Sequence, residues 1–174
     1  MALDDTLRIY GGPMEGEWTV ICQGRPPVKV SFPRFAAYPA GNPYRGRVAK
    51  MRVPRGLGED LRLRLKDSLS SDDKPDTAGR YIRLKWPCGS TCIGGALMDA
   101  RNGRVIMLPS ISGWGEVQDG FEPIAGRLDS RLVVLSGARN ERGIFGRHFY
   151  VIDNGRLRHL RSVEVERRFP QKLQ

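Results

Sequence analysis

The chain has 174 residues, 40% of them hydrophobic, and carries 29 Lys+Arg against 19 Asp+Glu, a formal net charge of +10. That length suits a single domain, 1–174, with a core large enough to fold without covalent staples. The longest apolar runs, four residues each as in Val105 to Leu108 and Leu132 to Leu135, fall far short of the roughly 20 residues that a membrane-crossing helix needs.

Residues 1–56 read as irregular and extended, with two short strands. Gly11-Gly12-Pro13 is a turn signal. Glu17 to Cys22 and Val28 to Phe32 read as strands joined by Gln23-Gly24-Arg25-Pro26-Pro27. Pro33, Pro39, Pro43 and Pro54 then mark a long connection, because proline cannot donate to a sheet ladder.

Residues 57–72 are the one helix candidate. Leu57, Leu61, Leu65 and Leu69 recur at every fourth position, an apolar stripe suited to core packing. Leu63 falls off the stripe, and Ser70-Ser71-Asp72-Asp73 with Pro75 ends the run.

From residue 80 to 168 the pattern is strand after strand. Tyr81 to Trp86, Gly94 to Ala100 and Arg104 to Leu108 form one group, with Asn102-Gly103 as a hairpin signal of type I′. Arg131 to Ser136, His148 to Asp153 and Arg156 to Leu160 form another, turning at Asn154-Gly155. Val163 and Val165 suggest one more alternating strand. The groups share a strand, connection, strand, Asn-Gly-Arg turn, strand order, either a weak internal repeat or the ordinary likeness of hairpins. The fold class is α+β, mostly antiparallel β. Two β-meanders make one curved sheet or two packed sheets, with one amphipathic helix across an open face.

Few residues offer chemistry. Cys88 and Cys92 flank a tight Gly89-Ser90-Thr91 turn, a spacing open to a small disulfide ring, to free thiols or to redox or metal chemistry. A redox pair has two intervening residues and a βαβ setting, neither of which is present. Four zinc ligands would have to come from Cys22, Cys88 and Cys92 with His148 or His159, at no common spacing. No metal, cofactor or catalytic set is therefore expected. There is no Gly-x-Ser-x-Gly elbow, and Ser110 to Gly113 reads as a loop. His148 follows a basic, glycine-punctuated loop and is the better placed of the two histidines for a role. Asp72-Asp73 is a solvated break, Asp99 and Asp153 precede turns, and Asp129 leads into a strand.

The positive balance points to a partner of negative charge, an acidic protein, a nucleic acid or an anionic surface. The arginines are nonetheless dispersed. The densest stretch, Arg156 to Arg168, is interrupted by Glu164 and Glu166 and lacks the interleaved aromatics that stack bases. Arg139, Arg142, Arg147 and His148, in and after the Ser136 to Gly143 hairpin tip, are the candidate partner contacts.

Residues from about Leu61 to Leu160 resemble a group of small, largely uncharacterised proteobacterial proteins, many with export signals. The marks are the Leu- and Arg-rich helix, Thr77-Ala78-Gly79-Arg80-Tyr81, Trp86-Pro87-Cys88-Gly89-Ser90-Thr91-Cys92, Asp99 to Val105 leading to Leu108-Pro109, and Arg127 to Leu132. A Tyr-rich final hairpin completes them. Arg80 stands where the group often has His, and Pro87 where it often has Gly. The resemblance implies a periplasmic or secreted location and a disulfide between Cys88 and Cys92; it implies no activity. Met1 to Asp5 is acidic and does not read as a secretory signal, so the chain is expected to be a mature exported form or, alternatively, cytoplasmic. The functional expectation is a non-enzymatic exported protein that binds another macromolecule, of inhibitor or toxin-neutralising type. The alternatives are an enzyme using His148 with a carboxylate such as Asp129, or the Cys pair, and a nucleic-acid or anionic-surface binder using the arginines.

Overall fold

A computed structural model describes residues 16–20, 28–113 and 122–164. Two strands, β1 (Gly16–Val20) and β2 (Val28–Phe32), pair antiparallel as a separate ribbon. Cys22, the Gln23 to Pro27 connection and the Gly11-Gly12-Pro13 turn lie outside the described residues. A short 3-10 turn, Phe35–Ala37, follows.

The helix α1 runs Glu59–Asp67, shorter than its apolar stripe suggests. It stops where Ser68 caps the last turn and the Asp73 carboxylate accepts the Ser70 N–H at 2.8 Å, an arrangement that draws the chain into a turn. Glu59 and Asp60 in its first turn and Arg64 and Lys66 in its last complement the helix dipole. Leu65 is fully buried, and Leu57, Leu61 and Leu69 pack beside it, as their spacing predicts; Leu63 is 53% exposed.

Eight further strands form one curved antiparallel sheet: β3 (Tyr81–Gly89), β4 (Cys92–Asp99), β5 (Val105–Met107), β6 (Ile111–Ser112), β7 (Ile124–Arg127), β8 (Ser130–Arg139), β9 (Arg142–Asp153) and β10 (Arg156–Glu164). The main path is β10-β9-β8-β6-β4-β3, with β5 on β4 and β7 on β8. The two expected meanders are thus β3-β4-β5 and β8-β9-β10. They are joined by β6, a two-residue strand in the Ser110 to Gly113 stretch that reads as a loop. The final strand expected around Val163 is the far end of β10, and Val165 lies outside the described residues.

The sheet bends round one central cluster that includes Tyr81, Leu97, Ile111, Ile124, Val133, Leu135 and Tyr150. Its outer faces are covered by the chain before residue 70. Phe32 and Phe35 pack over Leu132, Val134 and Phe149, while Leu65, Tyr44, Val48 and Met51 pack over Leu84, Ala96 and Met98. Strand alternation makes this possible: Leu97 points into the central cluster, and Ala96 and Met98 point outward beneath the helix.

The two Asn-Gly-Arg turns differ. Asn154 (φ 47°) and Gly155 (φ 73°) are both left-handed, as type I′ requires, and Asp153 pairs with Arg156. At the first, only Gly103 (φ 74°) is left-handed, and Asp99 accepts the N–H groups of both Asn102 and Gly103. That longer turn receives the N-terminal connection: Ala49 N–H bonds the Ala100 carbonyl, and Arg52 N–H bonds the Gly103 carbonyl. Docking of a distant segment thus corrects the expected type I′ geometry there.

Among the described residues no helix is long and apolar enough to cross a membrane.

Candidate functional site at the basic edge of the sheet

Cys88 and Cys92 form a disulfide across the β3–β4 turn, with their Cα atoms 5.0 Å apart. Cys88 takes the irregular position between Pro87 and Gly89, where the strand register shifts. The bridge clips a turn whose flanks, Trp86 and Cys92, are buried.

The β8–β9 hairpin carries the other singled-out residues. Its strands run to the tip, where Asn140 (φ 51°) and Glu141 (φ 60°) make a two-residue left-handed turn. Asn140 ties that tip to the loop before β6: its N–H bonds the Ser110 carbonyl at 2.8 Å, and its side-chain oxygen accepts the Ser110 N–H at 3.2 Å. Arg139, Asn140, Glu141, Arg142 and Gly143 line an open hollow there. Arg142 is exposed, and Arg139 is held by its Nη1 donating to the Tyr150 hydroxyl at 2.8 Å.

Arg147 and His148 do not join that surface. Arg147 lies on the opposite face of β9, opposite Ser136 of β8, and burial lowers its pKa. His148 is fully buried, so its ring lies beneath that surface.

Around His148 lies a polar cluster that the sequence pattern does not announce. Register places His148 opposite Ser162 and Tyr150 opposite His159. His159 and Ser162 are three positions apart, which in a regular strand puts them on opposite faces. A bulge at Leu160 inserts one residue between these pairs, and both side chains reach the face of His148 and Tyr150. The Nε2 of His148 is 2.8 Å from the Gly137 carbonyl, which only accepts, so Nε2 carries the hydrogen. In the neutral ring Nδ1 is then an acceptor, and the Ser162 hydroxyl donates to it at 2.8 Å. The same hydroxyl oxygen accepts from Nε2 of His159 at 2.9 Å.

The His159 ring packs against Tyr150 with centroids 5.0 Å apart. Partial desolvation of one side of its ring lowers the His159 pKa below its ordinary value, and the charge of Arg139 adds to the effect; a backbone bond with Arg161 opposes both. Arg139, Tyr150, His159, Ser162 and His148 therefore form one connected chain from the exposed tip to the buried core.

Both ring nitrogens of His148 are engaged by Gly137 and Ser162, and Asp129 lies just before β8, at the end remote from Gly137. The expected His148–carboxylate pair is not assembled with Asp129. Among the described residues, no group of three or more His, Cys, Asp or Glu side chains is placed to hold a metal ion. Comparison with protein-family models, with curated proteins and with solved structures found no match.

Proposed function

We propose that this is an exported protein that acts by binding an acidic protein partner, in the manner of an inhibitor or toxin-neutralising protein, rather than by catalysis. The observation that carries the reading is the build of the β8–β9 tip. Arg142 is exposed, Arg139 is fixed by Tyr150, and the turn between them is pinned through Asn140 to Ser110. A preorganised cation loses little side-chain freedom when it meets a carboxylate. The hollow at the tip is open, a form suited to a broad partner surface more than to an enclosed substrate.

The Cys88–Cys92 disulfide supports an oxidising compartment, and with it the resemblance to small exported proteobacterial proteins. Nucleic acid is a poorer match for this edge. Tyr150, the ring that Arg139 meets, is buried and so offers no base-stacking platform.

The test is a comparison of polyglutamate, a DNA duplex and anionic lipid vesicles at matched salt, read by fluorescence anisotropy or sedimentation. The proposal expects polyglutamate to bind best, with affinity falling as salt rises. Tighter binding of DNA or of vesicles would overturn it.

A further inference from the structure

We propose a second, separate binding site: a phosphate-group site formed by Arg45, Arg80 and Arg101, remote in sequence from the β8–β9 tip and independent of the partner-binding reading. Three chain segments meet there through backbone hydrogen bonds. Tyr44 N–H bonds the Gly79 carbonyl at 2.7 Å, and Ala100 N–H bonds the Arg80 carbonyl at 2.9 Å. Arg45, Arg80 and Arg101 each adjoin one of these tied positions, and all three line one hollow of about 400 Å³ with Gly41, Tyr44 and Gly79.

The backbone at the floor is in an uncommon conformation. Ala78 (φ 49°) and Gly79 (φ 74°) are both left-handed, and Ala78 is a buried residue with a Cβ that disfavours this region. Three bonds hold it there: Ala78 N–H to the carbonyls of Arg127 and Ser130, and Gly79 N–H to that of Leu128. Such conformations persist where surrounding structure over-determines them, and they gather at ligand sites.

Arg80 is positioned from behind. Its Nε donates to Asp99 Oδ2 at 2.9 Å, and Asp99 is buried and further held by Arg101 N–H and by Asn102. Arg80 Nη2 lies 3.3 Å from the Tyr81 hydroxyl, which leaves Nη1 for a ligand. Burial works against the Arg80 charge; the hydrogen bond to Asp99 and the Asp99 charge favour it, and its pKa is raised. Arg45 and Arg101 are exposed. One of the three charges is therefore matched by Asp99, and two remain, the balance that suits a dianion. Planar guanidinium groups match phosphate oxygens in pairs.

The hollow continues past Pro43, Tyr44 and Arg45 into a second of about 690 Å³, where Leu128 and Pro75 add apolar surface and Asp72, Asp73 and Lys74 add charges of both signs. A phosphate monoester can thus place its phosphate among the arginines and its body over Tyr44.

The test is calorimetry with inorganic phosphate, glucose 6-phosphate and glucose at constant ionic strength, beside amide NMR shifts. The expected result is saturable, sub-millimolar binding of glucose 6-phosphate, none of glucose, and shifts at Gly79, Arg80 and Arg101. Equal affinity for inorganic phosphate supports a site for the phosphate group alone; weaker affinity supports a role for the hollow over Tyr44 as well. Arg45→Ala and Arg101→Ala should each weaken binding about tenfold or more with an unchanged melting temperature, and Arg158→Ala, at an exposed position on β10 at the far edge of the sheet, should leave it intact. Absence of saturable binding, or binding untouched by Arg45→Ala and Arg101→Ala, overturns the site. So does equal loss in Arg158→Ala, which would show that net charge alone is responsible.

Discussion

Two serines of this sheet, Ser136 buried and Ser162 half-buried, should respond differently to the same substitution. Ser162 donates to Nδ1 of His148, a ring with no exposure to solvent. Ser162→Ala removes that donor and leaves a buried acceptor that water does not reach, a loss of about 1–3 kcal/mol. The same change removes a partner from His159, but that ring is exposed and water substitutes for the hydroxyl. Ser136 is 1% exposed, and its hydroxyl has no hydrogen-bond partner among the described residues. Ser136→Ala deletes a desolvated polar atom that gains nothing from being buried, so its effect should lie near zero or be slightly stabilising. For a chain of this length each kcal/mol moves the melting temperature by about 2–4 °C, so the Ser162→Ala midpoint should fall by about 2–12 °C while Ser136→Ala holds or rises. Urea titration with both variants gives the comparison directly. Equal destabilisation by the two changes would refute the assigned chain from Gly137 through His148 to Ser162.

Other consequences are as direct. Leu65→Ala should cost about 2–5 kcal/mol, and Leu63→Ala under about 0.5 kcal/mol, in the same urea experiment, because only the first empties a packed position. Gly103→Ala should destabilise clearly more than Gly155→Ala: both residues are left-handed, but a Cβ at 103 would collide with the Lys50 carbonyl while one at 155 meets open space. Reducing the Cys88–Cys92 bridge opens only a very short loop, so the loss should be about 2 kcal/mol with the sheet's circular dichroism unchanged. The His159 ring should titrate below its ordinary pKa, and Arg139→Gln should raise its midpoint, followed by NMR of the ring protons. The sign follows from the depressed folded value. The unfolded chain takes up a proton first as pH falls, so this group's stabilisation is present above the unfolded pKa and is lost as pH drops through the folded one.

What was legible in the sequence was whatever local chemistry decides. The Leu57, Leu61, Leu65, Leu69 stripe places the helix against the sheet, alternation within Tyr81 to Trp86 marks one strand, and the unbroken apolar run Leu132 to Leu135, buried on both faces, marks another. The Asn154-Gly155 turn adopts the geometry its residues prefer. What was not legible depends on partners remote in the chain. Asn102-Gly103 carries the same signal as Asn154-Gly155, yet its geometry answers to Ala49 and Arg52. Ile111–Ser112 and Ile124–Arg127 are too short to show a period, and they become strands through pairing with β8. At the basic edge, Arg139 and Arg142 stand out by charge, whereas Ser162 reaches His148 only because of one extra residue at Leu160, which no spacing rule exposes. Arg80 carries no sign in the sequence of its tie to Asp99, nineteen positions on.

The partner-binding reading rests on two named arginines, and reversing their charge tests it most directly. Polyglutamate binding by the wild-type chain should be compared with Arg139→Glu/Arg142→Glu and with Arg55→Glu, an exposed arginine on the N-terminal connection before α1. The double variant changes net charge by four and the control by two, so the affinity lost per reversed charge is the quantity to compare. The tip account predicts a loss per charge several-fold larger in Arg139→Glu/Arg142→Glu than in Arg55→Glu. An equal loss per charge would show that only the overall positive balance attracts the acidic chain, and would contradict a built site at the β8–β9 tip.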